Sequence, residues 1–251
     1  ICLPKINTMI NFFKNTLSRL LFFIFLLIIF GIMIVFIIPS EKIIEVKNNS
    51  ILKINFDKPI LDRTSENSLP KLEGLGLSNS DDLEFKDILD NIKKAKLDDR
   101  ISGIYLNISS IKAGFSQIEE IRMKLLDFKE NGKFIYSYAN SYNQSAYYLS
   151  SVSDKIVLNP EGTIDLKGLS IGVMFYKGLM DKLGIDAQII RHGKFKSAAE
   201  PFMSNQMSRP NRVQLERFLN SLSNYMIDGI ADTRQGISSN DIHNMINNMD
   251  L

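Results

Sequence analysis

The sequence predicts an α/β chain, a largely parallel sheet covered by helices, preceded by one membrane-crossing helix. Two observations carry this. From Ser50 onward, short runs with strand character alternate with segments of helical apolar spacing, and an uncharged stretch stands ahead of them all. That stretch is Leu20 to Ile38, LLFFIFLLIIFGIMIVFII, nineteen residues that span roughly 28 Å as a helix, enough to cross the hydrocarbon layer. Lys14 and Arg19 precede it, whereas Glu41 and Lys42 follow with no positive excess. The positive-inside rule therefore places residues 1–19 in the cytoplasm and everything after Pro39 outside. A cleaved secretory signal is the competing reading, but its apolar region is shorter and ends in small residues, unlike Phe36-Ile37-Ile38-Pro39-Ser40. Met9, just ahead of the basic and apolar segment, is the expected translation start.

Residues 39–49 read as a linker and residues 50–251 as one folded domain. Ile51, Ile54 and Phe56 mark a strand, and Lys58 to Asp81 reads as a loop with Pro, Gly and Ser. Leu83, Phe85, Ile88, Leu89, Ile92 and Ala95 then recur at helical spacing behind an Asp81-Asp82 cap. Ile101 to Asn107 is the next strand. Ile118, Ile121, Met123, Leu125, Leu126 and Phe128 form a helix that Asn131-Gly132 ends as a left-handed cap, and Lys133 to Tyr138 is again a strand. A helix over Gln144 to Ser151, a strand over Lys155 to Leu158, a helix over Phe175 to Leu183 and a strand over Ile185 to Arg191 continue the alternation. Arg209-Pro210 opens a long amphipathic helix with Val213, Leu215, Phe218, Leu219, Leu222 and Met226 on its apolar side, proline suiting the first turn. Ser238 to Leu251 has a helical pattern with nothing after it to pack against, which reads as a cut.

Composition narrows the function. The chain of 251 residues is long enough, beyond the apolar run, for one core burying about 70% of its unfolded surface. Net charge is +2, with 30 Lys and Arg and 28 Asp and Glu spread along the chain, so no basic face offers itself to nucleic acid. The single cysteine, Cys2, has no internal partner and leaves the redox compartment open. One cysteine and two histidines supply no zinc set, and the glycines between Gly162 and Gly172 do not sit as a strand-to-helix phosphate loop. Neither a metal nor a cofactor is expected.

Three stretches resemble signal peptide peptidases of the protease IV type, in that family's order and spacing. They are Asp98-Asp99-Arg100-Ile101-Ser-Gly-Ile104, then Gln144-Ser-Ala-Tyr147-Tyr148-Leu149-Ser-Ser with Asp154-Lys155-Ile156, and third His192-Gly193-Lys194-Phe195-Lys196-Ser197-Ala198-Ala199-Glu200-Pro201-Phe202. The third is the most specific, because it is similar to the segment that carries the family's lysine base. The resemblance implies a ClpP/crotonase-like fold of repeated strand-strand-helix units, here an N-terminal repeat, and a Ser/Lys dyad. In long members one repeat supplies the lysine and a second the serine. The serine of the catalytic repeat stands three residues before a Tyr-Tyr pair, and that position here is Gln144; Ser145 sits one place late. The paired glycines of an oxyanion hole give way to Ser109-Ser110-Ile-Lys-Ala-Gly114.

A serine hydroxyl is a poor nucleophile until a base removes its proton, and a lysine can do so only with a neutral amine. Desolvation lowers a lysine pKa toward the range where a general base works. Lys196, among Phe195, Ala198, Ala199, Pro201 and Phe202, is the expected base once a partner domain closes over it; Lys194, beside His192, has more polar company. Read locally, either lysine is an ordinary solvated charge, and only the resemblance singles out Lys196. His192 is read as structural, as is Glu200, because a carboxylate beside the lysine would raise its pKa and oppose catalysis. Tyr147-Tyr148 reads as core and interface packing. Two functions follow: a membrane-anchored serine endopeptidase, assembled as a homo-oligomer and acting on released signal peptides and short hydrophobic segments, or a non-catalytic tethered scaffold of the same fold. An acyl-CoA enzyme is disfavoured by the anchor and the missing glycine pair.

Overall fold

The alternation of apolar spacing becomes a parallel sheet with helices packed on it, and the uncharged run becomes a helix. The computed structural model describes residues 4–37, 45–63, 83–190, 192–193 and 195–248. The chain divides into two units, Ile1–Glu45 with Ser65–Asp81, and Val46–Thr64 with Asp82–Leu251. In the first unit α1 runs over Pro4–Ile37, so it begins well ahead of Leu20 and takes in most of the segment expected as a lead-in. Lys14–Met33 has mean hydropathy 2.4 and none of it is buried, which by length and composition suffices to cross a membrane. Ile38, the end of the expected anchor, lies outside the described residues, as do Cys2 and residues 39–44 of the linker.

The second unit is built on four strands, β1 (Ser50–Ile54), β4 (Ile101–Asn107), β5 (Phe134–Ala139) and β7 (Lys155–Leu158), paired in that order and all parallel. Between them run α2 (Phe85–Leu97), α3 (Phe115–Lys129) and α4 (Gln144–Ser150). α2 packs on α3 and α3 on α4, a single helical layer, as right-handed crossovers advancing in one direction require. Alternate strand residues face that layer: Ile104, Leu106 and Ile135 are fully buried against Ile121, Leu125 and Phe128 of α3 and Leu149 of α4, while Tyr136 on the opposite face is 47% exposed.

The two strand-entry motifs work by one device, an aspartate that pins the chain where a helix hands over to a strand. Asp98 takes a two-point fork from Arg100, Nε at 2.9 Å and Nη2 at 2.7 Å, while Lys133 Nζ donates to the Asp98 carbonyl at 2.8 Å. Asp154 accepts the Ile135 N–H at 2.8 Å and pairs with Lys129 Nζ at 2.7 Å. Burial alone would push the Asp154 carboxyl up, but Lys129 and the Ile135 N–H outweigh it and hold it below its ordinary value. Gly103, in the first motif, is required by a close approach: a Cβ there would stand 2.5 Å from the Phe134 ring on the next strand. Gly132, at φ 76°, is the left-handed cap foreseen after α3.

The Arg100 side chain, and then its backbone N–H, depress the Asp98 pKa to about 2. A carboxyl lowered in the folded state contributes stability above its unfolded value of about 3.9, and that contribution disappears as pH falls through the folded value. Asp98→Asn should therefore melt lower than wild type at neutral pH, by a small margin because the pair is solvent-exposed. Thermal melts across pH should show the gap closing between about pH 4 and about pH 2.

Several elements differ from the sequence reading. Leu83, expected in α2, belongs to β3 (Leu83–Glu84), which pairs in parallel with β2 (Ile60–Leu61), part of the presumed loop. The Asp81-Asp82 cap lies outside the described residues, and Glu84 at the N-cap makes no side-chain cap hydrogen bond. A second short parallel pair, β6 (Tyr142–Asn143) with β8 (Ile164–Asp165), was also not foreseen. Residues 185–190 of the expected strand have no regular structure, and Ile185 (52%) and Ile190 are exposed; strand propensity without a neighbouring strand stabilises nothing. Helices α5 (Lys177–Lys182), α6 (Glu200–Met203) and α7 (Arg209–Thr233) follow, but α7 buries its second half through Met226, Ile227 and Ile230 while Phe218 is 60% exposed. The last helix, α8 (Ser239–Asn248), does have a partner. It packs on α7, buries Ile242, and is capped reciprocally, Ser238 N–H to Asp241 Oδ2 at 2.9 Å and Asp241 N–H to Ser238 Oγ at 3.2 Å.

Candidate active site

The expected base stands on a turn between α5 and α6. Gly193 takes φ 100°, and residues 195–199 form turns and bends without a strand or helix. Lys196 and Phe195 are exposed, Ser197 and Ala199 half-buried, and Lys194 lies outside the described residues. The turn is fastened to the head of α5, where the Tyr176 N–H donates to the Pro201 carbonyl at 2.6 Å and the Tyr176 and Phe202 rings stack at 5.8 Å. Lys196 therefore stands on an exposed turn of this unit.

Glu200 has the structural role read for it. It is 3% exposed, and its carboxylate accepts the Ser208 hydroxyl, the Ser208 N–H at 3.2 Å and Asn211 Nδ2 at 2.9 Å. Ser208 is the N-cap of α7, so the carboxylate sits at the positive end of that helix. His192 is exposed and His243 half-buried on α8. Among the described residues no three His, Cys, Asp or Glu side chains gather as a metal set.

Gln144 opens α4, whose N-cap Asn143 accepts the Ala146 N–H at 2.8 Å. The Gln144 Oε1 accepts the Gly168 N–H at 3.0 Å and its Nε2 faces the Met226 sulfur at 4.0 Å. This side chain ties α4 to the segment after β8. Ser145, next along, is half-buried. The exit of β4 is held too, because the Ser109 carbonyl accepts the Asn143 N–H at 3.0 Å.

One buried group escaped the sequence reading. Arg122 on α3 is 3% exposed, donates to the Gly229 carbonyl and to Thr233 Oγ1 (3.2 Å), and lies 4.8 Å from the Tyr148 ring centre. Burial pushes its guanidinium pKa down, partly offset by Tyr148 and Glu119. Glu119 in turn accepts the Tyr148 hydroxyl and the Tyr225 hydroxyl at 2.8 Å, so Tyr148 is indeed core. Nothing in its heptad position distinguishes Arg122 from the solvated charges of the same helix.

The profile described as peptidase family S49 matches residues 127–247. Protease 4 of Salmonella typhi is 32% identical over 90% of this chain and 37% of its own length, and protease 4 of Haemophilus influenzae is 29% identical over 89% and 37%. The chloroplastic serine protease SPPA of Arabidopsis thaliana is 33% identical over 66% of this chain and 24% of its own length. Over these residues the chain is similar to peptidase family S49. The S49 match takes in α4 with Gln144, the Lys196 turn, α6 and α7. The chain spans about a quarter to just over a third of the length of these relatives. Among solved structures, an enoyl-CoA hydratase/isomerase family protein from Silicibacter pomeroyi matches at TM-score 0.24 and 11% identity, over 64% of this chain and 84% of that one, too slight a likeness to carry an argument.

Proposed function

We propose that this chain is the lysine-bearing repeat of a membrane-anchored serine endopeptidase that degrades released signal peptides and other short hydrophobic segments through a Ser/Lys dyad. The observation that carries this is the pairing, inside one S49 match, of Lys196 in its Gly193-to-Phe202 segment with Gln144 where a serine would stand. The nucleophile then comes from a second repeat. Its serine hydroxyl gives its proton to the neutral Lys196 amine as the oxygen attacks the scissile carbonyl. The lysine returns that proton to the leaving amine, and water releases the acyl group. The exposure of Lys196 supports a site completed by a partner surface that closes over it. Met174 at 72%, Leu183 at 64% and Phe195 at 62% exposure, all on or near the same segment, support assembly into a homo-oligomer.

The apolar α1 supports anchoring, with the peptidase domain outside the bacterial cytoplasmic membrane where signal peptides emerge. Protease added to intact spheroplasts should digest residues 50–251; protection until the membrane is permeabilised would reverse the topology. The gene beyond codon 251 decides between the enzyme and the non-catalytic scaffold. A downstream repeat with Ser-Gly-Gly-Tyr-Tyr supports the peptidase, and a stop codon there supports the scaffold.

A further inference from the structure

A large cleft in the second unit lies away from the lysine turn's own residues. It has a volume of about 1020 Å³ and lies beyond the carboxyl ends of β4, β5 and β7, where open parallel sheets bind their ligands. That volume is at the top of the usual range for small-molecule sites, about 300–1,000 Å³. Its apolar wall is Leu158, Ile164 and Ile246, the last from α8, and small hydroxyls face it from Ser109, Ser141 and Thr163. The charges at its rim, Asp165 and Lys167, neutralise each other at 2.7 Å, so no net charge selects an ion or a phosphate.

We propose that this cleft holds an extended peptide with an apolar side chain, as a non-cleaving site separate from the dyad. The occupant follows from what borders the cleft. β8 pairs with β6 on one side only, and among the described residues no strand takes its other edge. An unpaired edge offers backbone N–H and C=O groups to an added strand, and alternate side chains of that strand drop into flanking wells. The Leu158, Ile164 and Ile246 wall is such a well, and the hydroxyls serve as partners for peptide groups. Gln144, with its Oε1 on the Gly168 N–H, is no nucleophile, so a peptide held here stays whole. The site retains substrate near the dyad's own repeat. This deepens the peptidase reading and rests on it for the substrate class.

The test uses the full chain in detergent and a fluorescein-labelled eight-residue peptide with leucine at its centre, read by anisotropy. Saturable binding is expected, weakened at least ~10-fold by Ser141→Trp and by Thr163→Trp, which fill the cleft from exposed positions, and unchanged by Lys196→Ala. Amide exchange of the wild-type chain should slow at residues 163–167 when the peptide is added, which keeps the proposal open to refutation if a tryptophan variant misfolds. Absence of saturable binding, equal affinity in both tryptophan variants with unchanged exchange, or displacement of the peptide by octanoyl-CoA would overturn it. In the complete enzyme, Lys196→Ala that loses cleavage but keeps probe binding supports both readings; Lys196-dependent cleavage without probe binding refutes the cleft alone, and a peptidase active without Lys196 but still binding the probe refutes the dyad and leaves the cleft standing.

Discussion

In an assembly that contains the serine repeat, Lys196→Arg is expected to be as inactive as Lys196→Ala. General-base assistance is worth typically 10²- to 10⁴-fold, and a base that acts only in the chemical step shows its loss in kcat. Alanine alone does not separate that role from packing. Arginine keeps the charge and the length, but its pKa above about 12 leaves it protonated and unable to accept the serine proton. Because Lys196 is exposed in this unit, neither change should disturb the fold, and unchanged melting of the chain is the control. Lys194→Ala should retain most activity. Activity in Lys196→Arg together with inactivity in Lys194→Ala would mean that the segment is aligned two residues out of place.

The second large effect is on stability and concerns the Arg122 clamp. Arg122→Ala removes the donor to the Gly229 carbonyl and Thr233, the cation over Tyr148, and a buried stem, all between α3 and α7. Hydrogen bonds from charged groups contribute about 1.5–3 kcal/mol, and relief of the desolvated charge offsets part of the sum, leaving a loss of about 3 kcal/mol. For a unit of this size that lowers Tm by about 6–12 °C. Gly229→Ala is a companion test with an inverted sign. Alanine in a helix is ordinarily favoured over glycine by about 1 kcal/mol, yet a Cβ here would stand 3.0 Å from the Tyr148 ring and 3.1 Å from its hydroxyl. The variant should melt lower than wild type, and a higher Tm would show that Tyr148 can give way.

The parallel sheet was legible because its strands are long enough for their own pattern to decide them. β4 and β7 have the bounds that the residues predict, and Gly132 ends the α3 segment as its dipeptide required. The misses share a cause. β2, β3, β6 and β8 are two residues each, too short to have a period, and exist because a neighbouring strand is in reach. Residues 185–190 have the composition of a strand and, among the described residues, pair with no such neighbour. Phe218 looked like core from its place on an apolar stripe, but a stripe does not say how much of it a partner covers. The candidate site divides the same way. The Lys196 segment is continuous and so offers a local pattern to read, whereas the Gln144 bond to Gly168 and the Arg122 bond to Gly229 join residues far apart in sequence and had no local signal.

The central claim is that this chain carries the lysine and not the nucleophile, and hydrolysis of a fluorogenic peptide by the purified chain alone tests it most directly. Ser145 is one place from the position required, and one residue on a helix turns a side chain by about 100°, away from a site that the serine would have to face. The account predicts turnover no higher than buffer, with or without Ser145→Ala. Hydrolysis that Ser145→Ala abolishes would contradict it.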